Sequence, residues 1–355
     1  MRKVLVFDVA ASARGALTIL NSFYQHILNE PDIEWVFVLS SDYVESADNV
    51  SVKKYAWVKK SWLHRMFFDY FVAHRIAGRE KADVLLSLQN INVPLTAIKQ
   101  VTYIHQAIPF SDVKFTFRQN KLEWFYQNII GRFIYRSIKR SSAVAVQTNW
   151  MKQAVVQKTG IEENRILIVT PDVDCGNAGS YKDDENSRKR FFYPSAYASY
   201  KNHRLLMEAI GVLADRGVRD FEVILTVNEG ELPDSDQFGK IVRCVGTLPY
   251  GQVQELYRNS TVVFPSVLET YGLPLAEARC VGARILAADM PYAREVLDGY
   301  ANALFFNVSD RNELADLMYD TIENRIVHHL TQCKPEKEWR KNSSWGSLIE
   351  ILKVL

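Results

Sequence analysis

Two glutamates, Glu269 and Glu277, stand eight positions apart in a segment whose pattern predicts strand, loop and helix. Eight residues of helix span about 12 Å, so the two carboxylates lie too far apart to act on one atom. Ionised carboxylates accept hydrogen bonds, and sugar hydroxyls can donate them. The pair can therefore hold opposite ends of one elongated ligand, although a solvated loop residue and a helix-dipole residue would give the same spacing.

The turn between the two glutamates suits a diphosphate group. It follows an apolar strand predicted at Thr261–Phe264, and Gly272 lets a ligand approach the backbone without a Cβ in the way. Pro274 suits the first turn of a helix, whose N-terminus offers free N–H groups and a partial positive charge. We therefore expect phosphates near Gly272 and Leu273.

The rest of the chain alternates short apolar runs with helical patterns, which predicts an α/β protein with helices on both faces of parallel sheets. The predicted strands span residues 3–9, 35–40, 83–88, 101–105, 143–147, 165–169, 190–193, 221–226, 241–245, 261–264 and 284–287, and a further short strand is predicted near 304. At 355 residues the chain is long enough for two domains. The segment 172–190 holds glycines and a charged run without apolar periodicity, and is the predicted linker.

Composition argues against several classes of protein. A net charge of +2 gives no argument for nucleic acid, and 48% hydrophobic with 24% charged residues is normal for a globular protein. The cysteines, Cys175, Cys244, Cys280 and Cys333, form neither a disulfide framework nor a zinc pattern, which indicates a reducing cytosol. The start of the chain lacks a secretory pattern, and no apolar run approaches about 18 residues. We expect a cytoplasmic protein that could meet the inner face of a membrane only from the side.

The sequence from Glu269 to Glu277, ETYGLPLAE, resembles the E-x7-E signature of retaining glycosyltransferases of family 4. The preceding FPS and the later REVL at 294–297 are similar to the same family's pattern. The resemblance is strongest over 193–310, moderate over 101–174, and weak before 100 and after 320. It implies the GT-B fold, in which two Rossmann-like doubly wound domains face each other across a cleft. The first, at 1–175, would bind the acceptor and receive the tail at 335–355, and the second, at 190–334, would bind a nucleotide sugar.

The resemblance also implies roles for individual residues. Glu277 would bind the ribose hydroxyls, Glu269 those of the donor sugar, and Lys201 the departing diphosphate. His105 follows a predicted strand and is similar to a family histidine that contacts the transferred sugar. The implied catalytic residues are Glu269, His105 and Lys201, and the implied donor-binding residues are Gly15, Ser195, Lys201, Thr247, Leu248, Glu269, Tyr271, Gly272, Leu273 and Glu277.

Two features depart from the family pattern. Gly15 alone stands for the glycine-rich loop that faces the donor phosphates in relatives, and a tight strand-to-helix turn explains it equally well. Ser195 and Ala196 occupy the place where Gly-Arg is common, so one diphosphate-binding cation is missing. Lys201 would then carry that charge with help from Ser195.

The pattern Asp234-Ser-Asp236 fits the metal-binding Asp-x-Asp of GT-A enzymes, but its polar loop favours a solvated surface. Without a metal, cationic side chains and backbone N–H groups must stabilise the departing charge. We therefore expect a metal-independent enzyme without a cofactor, whose donor is a UDP-, GDP- or dTDP-sugar.

Two stretches in the first half combine basic and aromatic residues. Residues 53–81 hold eight lysines and arginines against two acidic residues, and 117–140 is similarly basic and aromatic. Such clusters suit an anionic membrane surface, although buried aromatics beside a solvated charged face explain either stretch alone. No recognised nucleic-acid motif is present, so the expected partners are donor, acceptor and such a surface.

The interpretation is a metal-independent, retaining hexosyltransferase that moves a sugar from a nucleotide sugar to a glycan or lipid-linked glycan. Bacterial surface polysaccharide assembly, of O-antigen or capsule, is the pathway that the resemblance implies. Two alternatives stay open: a nucleotide-sugar epimerase on the same scaffold, and a non-catalytic partner that binds a glycan or nucleotide.

Overall fold

The computed structural model describes residues 1–11, 15–118, 120–173, 179–232, 235–329 and 345–355. The chain divides into two compact units, of which the first comprises Met1–Asp172 and Arg340–Leu355 and the second Val173–Trp339. Each unit is built on its own parallel β-sheet with helices between the strands. The predicted α/β class is therefore confirmed.

The first unit holds a seven-stranded sheet in which all paired strands are parallel. Its strands are β1 (Arg2–Asp8), β2 (Ile33–Leu39), β3 (Val50–Lys54), β4 (Val84–Ser87), β5 (Lys99–Ile104), β6 (Ala143–Val146) and β7 (Ile166–Ile168). The order across the sheet is β3-β2-β1-β4-β5-β6-β7. The strand order reverses between β1 and β4, and open α/β sheets bind ligands at the carboxyl end of such a switch point.

Long helices cover the faces of this sheet. They are α1 (Gly15–Ile27), α2 (Trp62–Phe67), α3 (Ala73–Arg79), α4 (Lys121–Phe125), α5 (Gly131–Arg140) and α6 (Asn149–Thr159). Short 3-10 helices span Ala56–Lys60, Ile108–Phe110 and Glu163–Arg165. A π-helical turn, Phe68–Val72, joins α2 to α3, and a second, Tyr126–Ile130, joins α4 to α5. Each pair therefore forms one long helix with one widened turn.

The second unit holds a six-stranded parallel sheet in the order β10-β9-β8-β11-β12-β13. Its strands are β8 (Arg190–Tyr193), β9 (Glu222–Leu225), β10 (Val242–Cys244), β11 (Thr261–Phe264), β12 (Ile285–Ala288) and β13 (Ala303–Phe306). Its helices are α7 (Glu185–Lys189), α8 (His203–Asp215), α9 (Tyr250–Asn259), α10 (Leu273–Cys280), α11 (Pro291–Val296) and α12 (Arg311–Ile322), with 3-10 helices at Ser199–Lys201 and Ser235–Phe238.

The central strands are buried on both faces, as their unbroken apolar sequences require. In β1, Val4 and Val6 join a core on one face of the sheet, whereas Leu5 and Phe7 join the core on the other face. Successive side chains of a strand point to opposite faces, so one short run supplies both cores. This double burial fixes the position of β1 at the centre of the sheet.

The last helix of the chain, α13 (Trp345–Val354), packs in the first unit. Trp345 is fully buried, and its ring lies 5.2 Å from that of Phe23 and 5.4 Å from that of Tyr103. Its Nε1 donates a hydrogen bond to Ser22 Oγ at 2.8 Å. Burial of this indole with its polar atom satisfied ties the end of the chain to α1 and β5.

Three features differ from the sequence-based expectations. Strand β3 and helix α7 were not predicted, and α7 lies within the predicted linker 172–190, which is partly outside the described residues. Cys280 is disulfide-bonded. The wide spacing of the cysteines therefore did not exclude a disulfide, and it gives no support to a reducing compartment.

Candidate active site

The predicted donor residues of the second unit gather at the carboxyl ends of its parallel strands. Lys201 follows β8, Thr247 follows β10, and Glu269 follows β11. Strands β8 and β11 are neighbours at the centre of the sheet, where the strand order reverses. The loops after these two strands therefore meet where an open α/β sheet binds its ligand.

Lys201 and Glu269 form an ion pair between Lys201 Nζ and Glu269 Oε1. Their side chains are only 17% and 16% exposed, so the pair is shielded from most of the solvent. The backbone brings them together: the N–H of Val267 donates to the carbonyl of Tyr200 at 2.8 Å, which joins the two loops. A cation and an anion that each suit a different part of a sugar nucleotide thus lie side by side, 68 residues apart in sequence.

The helix N-terminus predicted to receive phosphates begins as expected. Gly272 has φ of +91° and is the N-cap of α10, and Pro274 occupies its first turn. A Cβ at Gly272 would lie 3.3 Å from the ring of Tyr292, which is itself fully buried. Both the left-handed conformation and this close contact favour glycine here. The N–H groups at the start of α10, near Leu273, lie just after the loop that carries Glu269 and the buried Tyr271.

Glu277 lies within α10, in a position different from that of Glu269. Its Oε2 accepts a hydrogen bond from the hydroxyl of Tyr257 at 2.8 Å. Burial raises the pKa of Tyr257 well above its usual value, and the neighbouring Glu277 raises it further, so the phenol stays protonated as a donor. Tyr257 thereby orients a half-buried carboxylate that keeps acceptor capacity for a ligand hydroxyl.

His203 was not identified from the sequence, although it lies two residues after Lys201. Its ring packs 4.8 Å from that of Tyr193 and 5.6 Å from that of Tyr197. Burial, and secondarily the charge of Lys201, lower its pKa to about 4, so it is neutral near pH 7. No hydrogen-bond partner for either ring nitrogen is found in the described part of the chain. The only local signal is its place at the start of α8.

The remaining predicted donor residues of this unit lie in turns. Ser195 is buried, and its Oγ donates to the carbonyl of Ala196 at 3.1 Å. Thr247 is exposed and Leu248 is partly buried, in the turn between β10 and α9 that begins at Gly246 with φ of +67°. The structure thus keeps these three residues at the same edge of the sheet. Among the described residues, no hydrogen bond joins any of them to Lys201 or Glu269.

Gly15 and His105 lie in the first unit. Gly15 begins α1, and residues 12–14 before it are outside the described residues. His105 follows β5, and its backbone N–H donates to Asn90 Oδ1 at 2.7 Å. Burial lowers the pKa of its imidazole to about 4, against the opposing effect of a hydrogen bond between the ring and the Leu88 backbone. The imidazole is therefore neutral near pH 7, and its unprotonated nitrogen can accept a hydrogen bond from a hydroxyl group.

Within the described residues, no group of three or more His, Cys, Asp or Glu side chains could hold a metal ion. Asp234 and the side chain of Asp236 lie outside the described part of the chain. The described helices include none that is long and apolar enough to cross a membrane.

The two basic and aromatic stretches form the paired helices α2–α3 and α4–α5 of the first unit. Several of their apolar side chains are exposed: Trp62 (48%), Leu63 (70%), Phe67 (53%), Phe71 (51%) and Leu122 (67%). Others, such as Phe68 and Ile134, are buried in the core. The stretches are therefore neither wholly core nor wholly surface.

This chain is similar in sequence to known glycosyltransferases. Residues 182–343 match the family model described as "Glycosyl transferases group 1". The chain is 21% identical over 251 residues to the O-antigen chain mannosyltransferase RfbU of Salmonella typhimurium, a match that covers 68% of this chain and 66% of that protein.

Solved structures resemble the whole chain in fold. The structure of Anabaena HepE in complex with UDP has a TM-score of 0.69 at 14% identity and covers 100% of both chains. The lipopolysaccharide outer core galactosyltransferase WaaB, in its apo form, has a TM-score of 0.65 at 12% identity, covering 93% of this chain and 92% of that one. The chain therefore has the GT-B fold, and the match to the group 1 glycosyltransferase model covers residues 182–343.

Proposed function

We propose that this protein is a retaining, metal-independent glycosyltransferase that moves a sugar from a nucleoside diphosphate sugar to a glycan or lipid-linked glycan. The observation that carries the proposal is the shielded Lys201–Glu269 ion pair beside the N-terminus of α10, in a domain that matches the group 1 family model. A lysine, free N–H groups and a carboxylate supply what a sugar nucleotide needs at its diphosphate and at its sugar hydroxyls.

In this proposal the ion pair exchanges its partners when donor binds. Lys201 moves to the diphosphate, and Glu269, released from Lys201, accepts hydrogen bonds from the sugar hydroxyls. Glu277, held by Tyr257, accepts from the ribose, and the turn at Thr247 and Leu248 frames the base. His105 in the first unit contacts the transferred sugar, and Gly15 lies near the donor phosphates.

The reaction breaks the bond between the anomeric carbon and the diphosphate oxygen, and the bonding electrons leave with the diphosphate. The acceptor oxygen bonds to the anomeric carbon on the same face, which retains its configuration. The acceptor hydroxyl gives its proton to the departing phosphate, so no side chain is assigned as general base. Lys201 and the N–H groups at Gly272 and Leu273 stabilise the negative charge as it develops.

The names of the relatives support a role in bacterial surface polysaccharide assembly. RfbU is an O-antigen chain mannosyltransferase and WaaB a lipopolysaccharide outer core galactosyltransferase. The complexes of HepE with UDP and with UDP-glucose support a nucleoside diphosphate sugar as the donor. We extend both properties to this chain as part of the proposal, with the site at the inner face of the membrane.

The test is a calorimetric screen of UDP, GDP and dTDP, followed by turnover of the matching sugar nucleotide. One nucleoside diphosphate is expected to bind clearly better than the others, and its sugar donors to be hydrolysed or transferred with retention. If none of the three binds, the proposal fails.

A non-catalytic role has one observation in its favour, because Ala196 stands where relatives carry a diphosphate-binding arginine. Nucleotide binding without hydrolysis or transfer of any donor would favour that role. Ala196→Arg then offers a gain-of-function check, since an added cation should tighten diphosphate binding.

A further inference from the structure

The first unit contains a pocket whose lining includes none of the residues proposed to bind the donor. It has a volume of about 280 Å³, near the lower end of the range for small-molecule sites. One wall is formed by α2 and the π-helical turn that follows it, and the other by α5 and the π-helical turn that precedes it. The loop after β4 closes the pocket. Its walls include the apolar side chains Trp62, Met66, Tyr70, Ile130, Phe133 and Ile134.

Both helices depart from regular geometry at this pocket. Tyr70 lies in the π-helical turn Phe68–Val72, and Tyr126 and Ile130 lie in the turn Tyr126–Ile130. Single π-helical turns occur often at functional sites, where they redirect side chains toward a ligand. Two such turns facing one pocket indicate a built site, because each widened turn weakens a helix that could otherwise be regular.

The charge around the pocket is unbalanced. Arg65 is already neutralised, since its Nε donates to Asp69 Oδ2 at 2.7 Å. Arg136 and Arg140 also line the pocket, four residues apart on the exposed side of α5. Among the residues that the structure describes, neither has an ion-pair or side-chain hydrogen-bond partner. An anion that meets these two guanidinium groups would gain charge-assisted hydrogen bonds.

We propose that this pocket binds a single-chain lipid phosphate, with its hydrocarbon chain between the two helix pairs and its phosphate on Arg136 and Arg140. Apolar walls with two unpaired cations at the rim fit an amphiphilic anion and match neither a free sugar nor a free phosphate. Given the proposed function, on which this identification rests, the lipid is the carrier of a lipid-linked acceptor.

A bilayer surface is the alternative source of the same chemistry. Leu63, Phe67 and Phe71 recur every four residues on one exposed face of α2–α3 and could touch a bilayer. The pocket differs from that face because it is walled on two sides and admits one chain. We therefore assign the pocket to one lipid molecule and leave bilayer contact as an outcome of the test.

The test is calorimetric titration of the full chain with dodecyl phosphate below its micelle concentration. Dodecyl maltoside supplies the same chain without the charge, and inorganic phosphate supplies the charge without the chain. Saturable binding of dodecyl phosphate is expected, at least about tenfold tighter than that of either control compound, because each lacks one of the two contacts. Equal binding of inorganic phosphate, or no saturable binding of dodecyl phosphate, would overturn the proposal.

Two double variants on α5 separate the pocket from general surface charge. Arg136→Gln with Arg140→Gln should weaken dodecyl phosphate binding by about tenfold or more. Arg132→Gln with Lys139→Gln removes the same charge from exposed positions of the same helix that do not line the pocket, and should change binding less than about twofold. Equal weakening by the two pairs would overturn the assignment to Arg136 and Arg140.

Contact with a bilayer is tested by sedimentation of the protein with phosphatidylcholine vesicles that contain phosphatidylglycerol. Vesicle binding without any binding of monomeric dodecyl phosphate would show a surface contact only and overturn the pocket. Nucleoside diphosphate binding, measured on the same preparations, keeps the two proposals apart. If it fails while dodecyl phosphate binds, the transferase proposal falls and the lipid site stands; the reverse result overturns the lipid site alone.

Discussion

Lys201 and Glu269 carry opposite charges and, in the proposed reaction, bind opposite kinds of group. In the structure each neutralises the other, so neither shielded charge is left alone at the end of the sheet. An unpaired charge in such a place would be costly. In the proposed reaction, the two side chains therefore stay paired until the donor supplies new partners.

Mutating each of the two side chains in turn should affect donor binding and sugar transfer differently. We expect Lys201→Met to weaken nucleoside diphosphate binding about tenfold, because a charge-assisted contact to the diphosphate is lost. Glu269→Gln should lower transfer about 100-fold while nucleoside diphosphate binding stays the same or tightens, since Lys201 is no longer held by a carboxylate. Calorimetry and initial rates measure the two effects.

The matched control is Lys240→Met, which removes an exposed lysine of the same unit. It should leave both measurements within about twofold of the wild type. Full transfer activity in the Glu269→Gln variant would contradict the proposed role of Glu269. Equal loss of nucleoside diphosphate binding in the two lysine variants would contradict the proposed role of Lys201.

At the scale of elements, the start of α8 joins the donor site to the core of the second unit. Helix α8 follows the 3-10 helix that ends at Lys201, and its first residue, His203, packs between Tyr193 and Tyr197. The Tyr193 hydroxyl donates to the carbonyl of Lys201 at 2.8 Å. The lysine is therefore placed beside a partly buried aromatic cluster, in which burial disfavours the charged form of the His203 imidazole.

This arrangement predicts a pH dependence of stability. The pKa of His203 is lowered from 6.5 to about 4 on folding, so below pH 6.5 the unfolded chain binds a proton that the folded chain does not. Stability is thus full above the unfolded pKa and is lost as pH falls toward 4. Between pH 7 and pH 5 this term removes about 2 kcal/mol from the free energy of unfolding.

The check is urea denaturation of the wild type and His203→Phe at both pH values. The variant keeps an aromatic ring against the two tyrosines and should lose about 2 kcal/mol less than the wild type over this range. His329→Phe, which removes an exposed histidine of the same unit, should behave as the wild type. Identical pH dependence of the wild type and His203→Phe would contradict the assignment.

At the scale of the whole molecule, each of the two units contributes a parallel sheet whose strand order reverses near its centre. In the first unit β1 and β4 meet at the reversal, and in the second β8 and β11 do so. Loops that are distant in sequence meet at a carboxyl edge of this kind. Each unit can therefore hold a ligand-binding site of its own.

Metal removal tests the proposed reaction as a whole. In the proposed reaction, Lys201 and the N–H groups at the start of α10 supply the positive charge that a divalent ion supplies in metal-dependent transferases. We expect initial transfer rates to be unchanged by EDTA and by added Mg²⁺ or Mn²⁺, with a metal-dependent transferase assayed in parallel as a control. A rate that collapses with EDTA and returns with either metal would contradict the proposal.

The sequence alone was sufficient for most of the elements and for the turn at Gly272. Unbroken apolar runs mark strands buried on both faces, and a glycine followed by Pro274 marks a helix start, because both signals depend on a few neighbouring residues. Strand β3 (Val50–Lys54) gave no such signal, since an edge strand that is partly exposed needs no apolar run. The roles of Glu269, Lys201 and His105 stay predictions.

Only the tertiary structure decided which side chains meet. The pairing of Lys201 with Glu269, of Tyr257 with Glu277, and of two distant helix pairs around one pocket spans 68, 20 and more residues of sequence. Such contacts depend on the order in which strands join a sheet and on the helix packing that follows. The order of strands in a sheet depends on burying both faces of many strands at once. A local sequence pattern therefore does not predict it.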